Sequence, residues 1–254
     1  MLKRENYPIL EFDDCKEAML NPTTFGDPLL PSDKLVITFF PEVMQKLRDE
    51  GKIRLCRTID GENPIYVYQF TDDPSVHIIH GTVGCPACAG ELDELWGLGI
   101  RRVMFCGGGG VLDNSIKVGQ LLVVDGAIRD DGFSYHYIPA SRYIYSNPLI
   151  ADKISAHLES KGVPYLRGLV WTTDALFRET KDRIALRREE GAKIVEMEQS
   201  GCLAVSQFRG MSYGAIIYGG DDCASDSWSE RNWRSSNSIR YNLVMLCRDI
   251  VSEL

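Results

Sequence analysis

From Lys34 onward the chain alternates short apolar runs with segments of helical periodicity, and this alternation restricts the folds open to it more than any single motif. "KLVITFF" (Lys34–Phe40) reads as a buried strand and "PEVMQKLRDEG" (Pro41–Gly51) as a helix with proline in its first turn and glycine past its end. "PIYVYQF" and "VHIIHGTVG" read as strands, being rich in β-branched and aromatic residues. "CPACAGELDELWGLGI" reads as a helix with Ala89, Leu92, Leu95 and Trp96 on one face. "RRVMFC", "QLLVVDGAI", "YLRGLVWTT" and "SYGAIIYGG" return as strands, while "NPLIADKISAHLESKG" and the closing "SSNSIRYNLVMLCRDIVSEL" carry helical stripes. Strands separated by helices of this length predict an α/β chain with a parallel or mixed sheet and helices on both faces. Ligands of such sheets bind at the carboxyl ends of the strands.

The 254 residues fit one large domain, preceded by an extension over residues 1–33 and spanning 34–254. A net charge of −8 argues against a general nucleic-acid binder. No apolar run approaches the roughly 18 residues of a membrane helix, and "MLKRENYPIL" lacks a signal-peptide core, so a cytoplasmic location is expected. In that compartment the eight dispersed cysteines read as thiols.

Four stretches carry possible chemistry. "CGGGGVLD" (Cys106–Asp113) follows a strand directly, and a turn without Cβ atoms could offer backbone N–H groups to an anion, or simply be flexible. "CPAC" (Cys85–Cys88) has no second pair at zinc-site spacing and reads as packing at a helix start; His77, His80, His136 and His157 are scattered, and no metal site is expected. "GGDDCASD" (Gly219–Asp226) puts Asp221 at a strand's carboxyl end, as a proton carrier or as part of an acidic turn, with Asp222 and Asp226 as turn or cap residues. "KIVEMEQSGCLAV" (Lys193–Val205) sets Glu196 and Glu198 at the start of an apolar helical stripe. There they could favour the helix dipole, by roughly 0.3–1 kcal/mol, or hold the paired hydroxyls of a ribose.

Together these stretches resemble the nucleoside phosphorylase-I family, which includes uridine phosphorylase, the hexameric purine nucleoside phosphorylases and the methylthioadenosine nucleosidases. "VEMEQSG" (Val195–Gly201) is similar to that family's ribose-binding signature, and "GTVGCPACAGELDELWGLGIRRVMFCGGGG" to its stretch ending in a phosphate loop. "IKVGQLLVVDGAIRDDGFS" and "YIPA" resemble further family segments. The resemblance implies a single α/β domain with a central mixed, partly barrel-like β-sheet flanked by helices. It implies that Glu198 holds the ribose hydroxyls, Met197 lies behind the sugar and Glu196 occupies the first signature position. Asp221, 23 residues beyond Glu198, takes the place of the acid near the purine N7, and Phe177 stacks on the base, with Trp171 as its rival. Gly107, Gly108 and Gly109 would hold phosphate, a co-substrate rather than a cofactor. The implied reaction is phosphorolysis of a purine nucleoside to free base and ribose 1-phosphate in a homo-oligomer, dimer or hexamer. Hydrolysis and non-catalytic nucleoside binding are the alternatives.

The departures concern the phosphate. "FFPEVMQ" stands where the family has its G-D-P-x-R turn, Phe105 stands at the loop's arginine, and Gly108 or Gly109 at its hydroxyl-bearing position. Charge-assisted hydrogen bonds contribute roughly 1.5–3 kcal/mol each, so dianion binding is expected to weaken unless Arg54, Arg57, Arg129 or Arg142 substitutes. The Gly26-Asp27-Pro28 of the extension precedes the first strand and is no counterpart of the missing turn; the extension itself could cover the pocket or reshape an interface.

Overall fold

The first predicted unit forms as read: strand β1 (Lys34–Thr38) runs into helix α1 (Pro41–Asp49), opened by Pro41 and followed by Gly51 at φ +66°. The protein is described by a computed structural model covering residues 2–24, 28–235 and 237–254, so Gly26 and Asp27 lie outside the described residues. Strands β2 (Ile53–Ile59), β3 (Ile65–Phe70) and β4 (Val76–His80) follow, then helix α2 (Cys85–Gly97) and the long strands β5 (Arg102–Val111) and β6 (Leu121–Asp130). A short β7 (Tyr143–Tyr145) leads to α3 (Pro148–Ser160), capped by the Asn147 side chain, and to β8 (Tyr165–Thr173). The chain ends with α4 (Lys181–Glu189), β9 (Ala192–Glu196), α5 (Gln199–Arg209), β10 (Ser212–Asp222) and α6 (Asn237–Ile250).

The ten strands form one mixed sheet in the order β10-β6-β8-β9-β5-β1-β4-β3-β2, with β7 on β6 and a further pairing of β10 with β5. That last pairing curls one half of the sheet, while β1, β4, β3 and β2 extend from β5 as an open wing; the sheet is partly barrel-like and does not close as a whole. Alternation along β1 places Leu35 and Ile37 in one core with α2 and α5, and Val36 in the other with α1, α3 and α6. Each such fully buried aliphatic side chain contributes about 1.5–3 kcal/mol.

Two findings correct the sequence reading and shape the site. The glycines of "CGGGG" are strand rather than turn: Gly107–Gly109 pair with Ile217–Gly219 of β10. Their lack of side chains serves close approach, since a Cβ on Gly109 would lie 2.5 Å from the Val195 carbonyl oxygen, and one on Gly108 2.7 Å from the Trp233 ring. On the opposite edge of β5, β1 ends at Cys106 and β9 begins at Gly110, which leaves Gly107–Gly109 without a strand neighbour on that side. The second finding is that Lys193–Glu196 belong to β9, so Glu196 ends a strand and Glu198 is the N-cap residue of α5. Cys85 and Cys88 pack at the start of α2 against α5, with Cys88 Sγ 3.7 Å from Cys202 Sγ.

Candidate active site

The carboxyl ends of β5, β9 and β10, the turn before α4 and the first residues of α6 surround a cavity of about 960 Å³. Its walls include Gly107, Gly108, Gly109, Phe177, Glu196, Met197, Glu198 and Asp221, so these eight residues singled out in the sequence are brought to one place.

At the carboxyl end of β9 the two glutamates divide the work. Glu196 Oε2 accepts the backbone N–H groups of Glu198 (2.6 Å) and Gln199 (2.7 Å), while Oε1 accepts the Thr172 hydroxyl. Thr172 in turn accepts the Ser200 N–H at 3.0 Å. Glu196 therefore satisfies the otherwise open first turn of α5 and fixes the bend that follows it. Glu198 is only 8% exposed, and its Oε1 accepts the Gly84 N–H at 2.8 Å. Burial pushes the Glu198 carboxyl up from the ordinary glutamate range, with the N–H groups of Gly84 and Met197 pulling the other way. Burial, followed by the charge of Glu198, raises Glu196 too. Glu198 is thus a nearly dehydrated carboxylate at the cavity wall with capacity to accept further donors, which suits a pair of neighbouring hydroxyls.

Asp221 is the penultimate residue of β10 and also lines the cavity. Its Oδ2 accepts the Trp228 indole N–H at 2.7 Å and lies 3.6 Å from Cys223 Sγ. The loop beyond is closed by paired backbone bonds between Asp222 and Ser229, and the Asp222 carboxylate caps Ala224 and Ser225, the turn role read from the sequence. Phe177 lines the mouth at 95% exposure, whereas Trp171 is fully buried and donates to Asp130, which removes it as a base-stacking rival. Glu179, absent from the sequence reading, is a half-buried carboxyl lining the same cavity; burial and then the charge of Asp221 push it up to about 7.

The third region is mostly aromatic. Phe105, where the resemblance implies an arginine, and Phe39, in the stretch that replaces the G-D-P-x-R turn, contact each other with ring centroids 5.0 Å apart. Phe40 and Trp233 complete the wall, and between them lies the Arg240 guanidinium, 4.9 Å from the first ring and 5.0 Å from the second. Arg240 is 6% exposed, donates to the Tyr218 hydroxyl (2.7 Å) and pairs with Glu42 Oε1 (2.8 Å). None of the four arginines suggested by sequence lines the cavity. Arg54 donates to Gln69, Arg57 to the Pro28 carbonyl, Arg129 to Ser134, Pro139 and Ser141, and Arg142 pairs with Glu190. The described part of the extension also stays off the cavity: Lys16 donates to Phe208 at the end of α5, and Leu30 to Leu98 after α2.

The sequence profile of the Phosphorylase superfamily matches residues 33–247. The chain belongs to the phosphorylase superfamily. A guanosine phosphorylase of Halorubrum lacusprofundi is 22% identical over 174 residues, spanning 66% of this chain and 72% of the relative. Among solved structures, a purine nucleoside phosphorylase from Toxoplasma gondii in complex with immucillin-H superposes with a TM-score of 0.71 at 16% identity, over 90% of this chain and 99% of the other. An AMP nucleosidase from Bacteroides thetaiotaomicron reaches 0.70 at 21% identity, over 87% and 89%. These likenesses establish the fold, and they span both phosphorylases and a nucleosidase of the superfamily.

The site residues of this superfamily member that sequence reasoning misses have weak signals. Arg240 shares the buried stripe of α6 with Leu243, Val244 and Cys247, and a cation at an apolar-stripe position is the one cue that points to it. Glu179 has no such cue. Among the described residues no group of three potential ligands is placed to hold a metal ion, and no helix is long and apolar enough to cross a membrane.

Proposed function

We propose that this protein cleaves the N-glycosidic bond of a purine nucleoside, with phosphate as acceptor, giving free base and ribose 1-phosphate. The observation that carries the reading is the pairing, across one cavity, of the dehydrated Glu198 carboxylate with a carboxyl wall containing Asp221. As the base departs, positive charge grows on the ribose and electrons move to the purine. Glu198 would hold the sugar through its hydroxyls, and an acid opposite would supply a proton to the base. Phosphate would lie along the open edge of Gly107–Gly109 against Arg240, whose pairing with Glu42 serves as a resting counter-charge. Assembly as a homo-oligomer, dimer or hexamer, belongs to the same proposal.

A second reading, hydrolysis, is favoured by one specific observation: the Phe39–Phe105 wall offers a dianion nothing, and Arg240 already has a carboxylate partner. Release of purine from inosine or guanosine, followed with and without phosphate, separates the two. Release that requires phosphate supports phosphorolysis; equal release without it transfers the proposal to hydrolysis. No release under either condition overturns both.

A further inference from the structure

Glu179, Asp221 and Asp226 line the side of the cavity proposed to take the base, and the surroundings of the first two differ. Asp221 is supplied with donors, since the Trp228 indole N–H and the Cys223 thiol both face Oδ2. The Glu179 side chain follows the turn Leu176–Arg178, is half-buried, and has no hydrogen-bond partner among the described residues. An unpartnered carboxyl in a desolvated wall near a second carboxyl is favoured in its neutral form, and burial followed by the charge of Asp221 raises Glu179 accordingly.

We propose that Glu179, rather than Asp221, donates the proton to the departing base, and that Asp221 is the positioning carboxylate that keeps that proton on Glu179. This deepens the glycosidic-cleavage reading and rests on it. In the step, the C1′–N bond breaks with its electron pair passing to the base, and the Glu179 carboxyl proton moves to a ring nitrogen. An acceptor oxygen forms the new C1′–O bond and sheds its proton to solvent, and solvent reprotonates Glu179. Lys181, Arg188, Asp226 and the Cys223 thiol also line this part of the cavity, and Asp221 is the charged neighbour whose field acts on Glu179. Burial holds the thiol up, and therefore neutral.

The test compares a purine nucleoside with 4-nitrophenyl riboside, whose leaving group departs without a proton. Glu179→Gln is expected to lower kcat/KM for inosine about 10²–10⁴-fold, the usual range for removing a general acid, while nitrophenyl riboside cleavage stays within about threefold. That second activity also reports that the variant is folded. Wild-type inosine cleavage should decline as pH rises through the Glu179 titration, a limb that Glu179→Gln lacks and that Asp221→Asn moves to lower pH. Equal loss on both substrates, no loss on either, or a leaving-group-selective loss in Asp221→Asn alone overturns the assignment. Wild-type protein that cleaves neither riboside overturns the parent reading, and the assignment with it.

Discussion

The two ends of the cavity proposed to take the sugar and the acceptor are built from the same sheet, yet they use charge in opposite ways. At the sugar end a carboxylate, Glu198, is kept nearly dehydrated, with one N–H bond from Gly84 and a neighbouring glutamate tied into the backbone. At the acceptor end a guanidinium, Arg240, is neutralised by Glu42 and stacked among rings. A buried charge left short of partners is costly in the empty protein and available to a ligand; a buried charge already paired is stable and must give something up to bind. Under the proposed function, the first end would act as a preformed clamp and the second as a site whose affinity is reduced by its own counter-ion.

The most damaging test of this contrast is Glu198→Gln. It should lower kcat/KM for nucleoside about 10²–10⁴-fold, the equivalent of two charge-assisted hydrogen bonds, measured by steady-state kinetics. A loss under tenfold would rule Glu198 out as the clamp. Arg240→Met should raise the KM for phosphate about 10- to 10²-fold with the nucleoside KM unchanged. An unchanged phosphate requirement would sharpen the contrast further, by showing that the acceptor end binds no anion through this residue.

Next in size is Thr172→Val, which removes a donor to Glu196 and an acceptor for the Ser200 N–H. It should cost about 1–3 kcal/mol in denaturant unfolding, and activity should fall with it if the bend holding Glu198 is loosened. The smallest effect is on pH. Glu179, Glu196 and Glu198 all have carboxyls raised in the folded protein, so the native state binds these protons more tightly than the unfolded chain. Their contribution is fully favourable below the ordinary glutamate value of 4.5 and is lost as pH rises toward neutrality. Glu198→Gln should therefore raise Tm relative to wild type at about pH 8 and not at about pH 4, as calorimetry can check. A Tm difference independent of pH would contradict the description of Glu198 as a strained charge.

Much of the fold and of the site is legible in the sequence because alternation and glycine punctuation report backbone geometry directly. The β1–α1 unit, α2, α3 and α6 form where their patterns place them. The rest is obscured for physical reasons. α4 (Lys181–Glu189) is charged nearly all round, so no apolar stripe marks it. β2 exposes most of its residues, and β9 is only five residues long and runs into a helix, so its terminal carboxylate has the sequence context of a helix start. Glu198, Met197 and Asp221 are legible through the signature that carries the family resemblance, and all three line the cavity. Arg240 and Glu179 reach the cavity from α6 and from the turn before α4, and that convergence depends on tertiary packing that local spacing does not encode.

The strand of glycines under the cavity has a consequence for any attempt to re-engineer the protein. A side chain on Gly108, Gly109 or Gly110 would meet Trp233, the Val195 backbone or Cys223 within 2.7 Å. The floor of the pocket is therefore closed to variation one residue at a time, and a library randomised there should return almost only glycine. New acceptor or base preferences would have to be written into the walls, above all at Phe39 and in the Trp228 loop, which lie outside the strands of the sheet.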